Sequence, residues 1–212
     1  MYNIKTMRVK FEKTGLAVYI SHLDLVRLFA RSLARAKIET AHSEGFNPRP
    51  KIVFAGAIPL GIESLCEFAD IKIPGPQIPP NPEKIAGFFP HGINIREIYE
   101  PAADFKNISD TKFQIYLKAD GFGTAELEDL FSEGFLMEKK NKIKINSKDY
   151  IFNIGISENP EGYIIINACI KTSPEAYLSP ETLIKAVGAK YTAYDYFIKK
   201  IEVYDKNGSV FK

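Results

Sequence analysis

An α+β fold with antiparallel sheets is what this sequence predicts, and three observations carry it. Segments that alternate apolar and polar residues recur along the chain, as in Met7, Val9 and Phe11 against Arg8, Lys10 and Glu12. Helical stretches with one apolar face and marked starts lie between them, at 21–37 and from 179 to about 187. The order β-α-β-β-α-β is then partly repeated. That pattern predicts tandem ferredoxin-like (βαββαβ) units, residues 1–103 and 104–212.

In the first half, the strand at 6–13 leads through Gly15 to Leu16, Val18 and Ile20, whose alternation can extend the pairing. Ser21 is a good N-cap, with Asp24 placed to accept from the freed amides of a helix that runs to residue 37. Residues 51–57 are a compact apolar run. Pro59-Leu60-Gly61 turns the chain into a strand over 65–73. A proline-rich connection over 74–82 ends in Asn81-Pro82, which starts a helix to about Phe89, and 92–99 is the next strand. Residues 101–109 form a polar connector. The second half reads strand 111–119, helix 124–133, and a basic hairpin about Asn141 formed by 135–140 and 142–145. Strands 150–157 and 163–171 follow. Ser179-Pro180-Glu181 begins a last helix that Gly188 closes, and 196–204 is the final strand.

The 212 residues are 45% hydrophobic and 25% charged, an ordinary globular composition. The formal charge is only +2, so contact with nucleic acid has to come from local clustering. Cys66 and Cys169 sit far apart in apolar strands. This predicts reduced, buried thiols and neither an iron–sulfur nor a zinc site within the chain. No apolar run approaches about 18 residues, and the start lacks a leader-like apolar stretch. The expectation is a cytoplasmic protein with no cofactor, no bound metal and no membrane contact.

The helix over 21–37 has two unlike faces. Leu25, Val26, Phe29, Ala30, Leu33 and Ala36 fall on one side, Asp24, Arg27, Arg31 and Arg35 on the other. A constrained, donor-rich loop follows, from His42 through Glu44-Gly45-Phe46-Asn47-Pro48-Arg49-Pro50 to Lys51. The arginine stripe is either a solvated face paired with Asp24 or, with Asn47, Arg49 and Lys51, one electropositive surface for phosphates. Phe46 is a stacking ring for a base or, the commoner role, a plug that anchors the loop in the core. His22, on the apolar side, is a half-buried histidine bonded to backbone, or a base beside a helix N-terminus; His42 is a second candidate acid/base. Glu63, Glu67 and Asp70 are close enough in sequence to share a metal ion, but pairing with the nearby arginines and Lys51 is the commoner outcome.

Ser21-His22-Leu23-Asp24, the run Glu44 to Lys51, Pro59-Leu60-Gly61, Glu63-Ser64 and Glu67 resemble the radical-SAM-linked protein family, an uncharacterised bacterial domain. The resemblance covers chiefly residues 7–73. It implies a companion encoded beside, or fused to, a radical-SAM protein, often near genes of RNA and ribosome metabolism. The absence of a cysteine triplet fits a companion and not the catalyst. The first half is also similar in layout to the ferredoxin-like repeat-processing endoribonucleases of CRISPR systems. The function expected is therefore an accessory, RNA-binding and substrate-presenting partner of a radical-SAM protein, more a companion than an enzyme on its own. The alternatives are a metal-independent ribonuclease or RNA-modifying enzyme using His22 or His42, and a pure protein-interaction module.

Overall fold

The computed structural model describes residues 3–57, 59–75, 80–139 and 141–212, with backbone alone at 119–120 and 192–194. The chain is α+β, with four α-helices and antiparallel strand neighbours among the described residues. It divides into two compact units, one reaching Asp104 and including Lys212, the other Phe105–Phe211. No helix among the described residues is long and apolar enough to cross a membrane.

In the first unit β1 (Ile4–Lys13) is followed by α1 (His22–Arg35), β2 (Ile52–Phe54), β3 (Glu63–Pro74), α2 (Pro82–Ala86) and β4 (Ile93–Tyr99). The strand neighbours run β4-β1-β3-β2. One face of this sheet presents Met7, Val9, Phe11, Ala69, Ile71 and Ile73 to Leu25, Phe29 and Leu33 of α1 and to Ile85 of α2. Phe29 is fully buried and is the centre of that packing. Its ring lies 4.8 Å from Phe11, 5.1 Å from Phe54 and 4.9 Å from Phe89, so β1, β2 and the approach to β4 all meet on it.

The start of α1 follows the sequence: Ser21 Oγ accepts from the Asp24 amide at 3.2 Å. The end does not. Helical bonding stops at Arg35, and Lys37 takes the left-handed conformation with φ 56°. The Lys37 amide donates to Ala34 O and the Ile38 amide to Leu33 O, both at 3.0 Å, and Ile38 packs on the core. This is the usual bonded ending of a helix, with lysine where glycine is common.

Residues Gly15–Tyr19 form a 3-10 turn and not an extension of the strand. Gly15 has φ 55°, which breaks the extended run, and Ala17 and Val18 both turn inward. The turn sits so close to Gly92 that a Cβ there would collide with the Thr14 carbonyl and lie 2.9 Å from Ala17 Cβ. Gly92 itself has φ 90°, so only glycine fits. Helix α2 is shorter than the sequence suggested, ending at Ala86. Of the proline-rich connection, Pro76–Pro79 lie outside the described residues.

The second unit contains β5 (Ile108–Asp120), α3 (Thr124–Glu133), the small hairpin β6 (Leu136–Glu138) and β7 (Lys144–Asn146), β8 (Ile151–Glu158), β9 (Ile164–Lys171), α4 (Pro180–Lys190) and β10 (Thr192–Asp205). Its main strands neighbour in the order β10-β5-β9-β8. Gly188 lies inside α4, which Val187 and Leu183 hold down by burial, and β10 begins four residues earlier than the expected Tyr196. The basic hairpin is present, with Lys140 outside the described residues.

Two outcomes are expected. Phe29→Ala removes a ring shared by three elements and should cost about 3–5 kcal/mol; Leu25→Asp buries an unpaired charge and should lower the melting temperature further. A Leu25→Asp melt superimposable on wild type would overturn the assignment of this face. The second outcome concerns Glu12, which binds Arg96 Nε at 2.7 Å and accepts from Asn94 at 3.2 Å. Burial pushes its carboxyl up, but the bonds from Arg96 and Asn94 together hold it below the ordinary range. Such a group stabilises the fold above the unfolded carboxylate pKa, and the contribution is lost as pH falls through the depressed folded value. Arg96→Met should therefore lower neutral-pH stability and flatten the acid limb of a stability-versus-pH curve.

Candidate functional site

Three parts of the first unit carry the residues singled out from sequence. The first is the approach to α1. Lys13, fully buried, reaches from the end of β1 to donate to Ile20 O at 2.8 Å. Ser64 and Glu67, also buried, are joined by a 2.6 Å hydrogen bond in which the hydroxyl donates. Glu63 accepts from the Gly15 amide at 3.2 Å, and the Gly61 amide donates to Val18 O at 3.1 Å. Desolvation pushes the Lys13 amine below its ordinary value, with Glu67 working the other way. The segments containing the Ser21, Gly61 and Glu63-to-Glu67 motifs thus converge on one turn and hold it.

Asp70 is held elsewhere, opposite Arg8 across β1 and β3, at 2.7 and 2.8 Å to Nε and Nη2. These acids pair, as the commoner outcome had it, although with Arg8 and Lys13 and the backbone in place of the α1 arginines. Among the described residues no group of three His, Cys, Asp or Glu side chains is arranged to hold a metal ion. His22 is exposed and not half-buried; its ring meets the edge of Phe54 at 5.6 Å.

The second part is the strap from His42 to Lys51. It is a narrow hairpin: the Ser43 amide donates to Arg49 O at 2.8 Å and the Lys51 amide to Ala41 O at 2.8 Å. The Arg49 amide adds a 3.0 Å bond to Ser43 Oγ. The base is tied to β3, the Ala41 amide donating to Lys72 O at 2.7 Å. Phe46 stands at the tip, 106% exposed, so it is not a plug. Asn47 and Arg49 are exposed on the return arm and Lys51 is exposed at the base. His42 Nδ1 lies 2.9 Å from Thr40 O, and because a carbonyl can only accept, that nitrogen is the donor; Nε2 is the ring nitrogen without this bond.

The third part is a groove of about 950 Å³ along the basic face of α1. Asp24, Arg27, Leu28, Arg31, Ser32 and Arg35 line it from α1, and Gly87 to Pro90 line it from the segment ahead of β4. That segment is anchored by the Phe88 carbonyl, which accepts from Ser32 Oγ at 2.8 Å and from Arg35 Nη2. Arg27 is tied to Asp24 Oδ1 at 3.0 Å. The Ser21 hydroxyl beside Asp24, then Arg27 and at longer range Arg31, hold its carboxyl below the usual aspartate value. Asp24 therefore accepts from a hydroxyl and a guanidinium, and not from the freed amides. Arg31 projects between its two neighbours, exposed and outside any ion pair given by the described residues.

The stripe and the strap do not share a strand edge. The strap is bonded to β3 next to β2; the groove abuts the residues that lead into β4; β2 and β4 are opposite ends of the unit's strand order. Sequence reasoning missed Ser32, Phe88 and Lys13. Ser32 occupied a polar slot on an apolar face, which was a readable sign of a buried partner, whereas a carbonyl acceptor such as that of Phe88 leaves no mark on residue type.

A family model described as an uncharacterized protein conserved in bacteria (DUF2344) matches residues 6–180. No curated protein matches the chain.

Ser21→Ala should move the Asp24 carboxyl midpoint upward in an NMR titration, because the hydroxyl is the largest cause of its depression. An unchanged midpoint would show that the arginines Arg27 and Arg31 set it without the hydroxyl.

Proposed function

We propose that this chain, which belongs to the bacterial DUF2344 family, is an accessory RNA-binding protein that presents RNA to a radical-SAM partner in the cytoplasm. The observation that carries the RNA reading is Phe46. A large ring fully in water at the tip of a bonded hairpin stabilises nothing in the fold, and the same hairpin carries exposed Arg49 on its return arm and Lys51 at its base. Rings of this kind stack on unpaired bases while neighbouring cations take phosphates. The groove supplies a second set of cations on a rigid wall, with Arg31 the one best placed for a phosphate. The radical-SAM partnership is supported by the resemblance of the Ser21-to-Asp24 and Glu44-to-Lys51 motifs. Two cysteines are too few for the three-cysteine cluster such a catalyst needs.

The strand orders β4-β1-β3-β2 and β10-β5-β9-β8 support reading both units as ferredoxin-like, the second with the β6–β7 hairpin inserted. That fold hosts many functions, so the site and not the fold carries the argument. An RNA-cleaving or RNA-modifying reading is favoured by one feature alone, exposed His42, whose Nδ1 is held by the Thr40 carbonyl. Cleavage by the purified protein, abolished by His42→Ala in a folded variant, would put it first.

The test is a salt titration of RNA affinity. Wild type should bind single-stranded RNA at low salt, with affinity falling as salt rises. Arg31→Ala and Arg49→Ala should each reduce the slope by about one unit or slightly less and weaken all sequences alike. Phe46→Ala should weaken single strands more than duplex. Lys142→Ala with Lys144→Ala should do much less. No affinity at low salt, alone or with a radical-SAM partner, would overturn the RNA reading; if the arginine variants then release a protein partner, the chain is an interaction module.

A further inference from the structure

The main sheet of the second unit has two unlike faces. Phe113, Ile115 and Leu117 of β5, Ile166 of β9 and Ile198 of β10 are buried on one. The intervening residues of β5 lie on the other, where Gln114 is opposite Asn167 and Tyr116 opposite Phe197. The rings of Tyr116 and Phe197 stack at 4.0 Å and 12°. Tyr163, just ahead of β9, stands edge-on to both, at 6.4 and 5.6 Å. Phe197 remains 40% exposed, although a phenylalanine on a sheet surface gains most by being covered.

The rings are held in place by polar bonds. Tyr116 donates to Gln114 Oε1 at 2.7 Å, Gln114 donates to Asn167 Oδ1 at 3.1 Å, and Tyr163 donates to Asp195 Oδ2 at 2.6 Å. Lys118 Nζ lies 4.3 Å from the Tyr163 ring centre. A surface fixed in this way loses little side-chain entropy when a ligand arrives.

We propose that this face is a stacking platform for unpaired nucleobases of single-stranded RNA. This rests on the RNA reading above and extends it to the second unit. Every base has a π-face, and a four-stranded antiparallel sheet with aromatics on its open face is a known way to stack bases. Lys118 projects from the same side of β5 beside the rings for a phosphate, and the carboxylate opposite it, Asp195, is engaged by Tyr163; Lys112, farther along that side, faces Glu202. The Asn167 amide N–H groups are left to donate to base carbonyls. A protein partner's apolar patch fits less well, because the amides of Gln114 and Asn167 lie beside the rings and would be buried against carbon.

The chain has no tryptophan, so Phe197→Trp in the full chain makes a single reporter that keeps an aromatic at the position. Two single-stranded probes of about ten nucleotides serve, one oligoadenylate and one with the same backbone lacking bases. Oligoadenylate should quench the reporter saturably and the abasic probe should not. Tyr116→Ala should weaken oligoadenylate about tenfold, the value of one stacked base, and change abasic binding less than twofold. Phe46→Ala should leave the quenching amplitude at saturation unchanged. If oligoadenylate binds by anisotropy while the reporter stays unquenched and Tyr116→Ala has no effect, the platform is overturned and the first unit's RNA reading stands. If neither probe binds at low salt, the RNA reading falls and the platform with it. Unchanged far-ultraviolet circular dichroism and melting of Tyr116→Ala keep the comparison one of folded proteins.

Discussion

The first unit depends on the ring of Phe29. Its ring meets those of three other segments: Phe11 in β1, Phe54 in β2 and Phe89 ahead of β4. Removing one buried ring normally costs what its area and the residual cavity dictate. Here it would also loosen the register between the helix and both edges of the sheet. Phe54 fixes where β2 lies, and the strap from His42 to Lys51 grows out of that edge. Phe89 fixes the other edge, and the adjacent Phe88 carbonyl becomes the anchor that Ser32 and Arg35 share. Both surfaces proposed for RNA in this unit are therefore positioned by one apolar contact, though neither contains it.

Charge inside the unit does a different job. Arg8 and Asp70 face each other across β1 and β3 through two parallel bonds, and Lys13 is spent on the Ile20 carbonyl. Burying such groups is costly, and apolar replacements of the same volume are often as stable. What the charges add is specificity. A slip of one residue between β1 and β3 would send Asp70 to the opposite face and leave Arg8 against carbon. In the same way, the Lys13 bond admits only one path from β1 through the 3-10 turn into α1. This accounts for the placement of Glu63, Glu67 and Asp70, since each has a backbone or basic partner that a shared metal ion would have to displace.

What was legible in the sequence, and what was not, divides along physical lines. The apolar face of α1 was readable because a helix repeats its environment every few residues, and Leu25, Phe29 and Leu33 report it redundantly. The Ser21 and Asn81 caps and the Pro180 start were readable because those residues bond or pre-set the backbone locally. The turn at 15–19 was not, since alternation of Leu16, Val18 and Ile20 imitates a strand and its cause is a close pass against Gly92 far along the chain. Gly188 misled for the opposite reason: burial of Leu183 and Val187 carries α4 past a residue that favours stopping it. The exposure of Phe46 was unreadable because a lone aromatic between a glycine and an asparagine is compatible with either side of the surface. The groove was unreadable because half of it is made by segments more than fifty residues from α1 and by a main-chain carbonyl.

The near-neutral balance of the chain shapes what kind of RNA contact is physically open to it. A net charge of +2 gives little long-range attraction, so affinity cannot come from the general field that strongly basic proteins use. It has to come from short-range contacts, and the exposed rings and isolated cations are of that kind. Stacking on Phe46, or on the Tyr116 and Phe197 pair, requires a base whose face is not already covered by its neighbours. In a duplex every interior base is covered on both faces, and opening one costs a few kcal/mol that a few scattered lysines and arginines cannot return cheaply. Single strands, loops and ends offer their bases without that cost. On the RNA reading proposed above, the same chemistry that would disfavour duplex would favour unpaired RNA, which is what presenting exposed nucleotides to a catalyst would require.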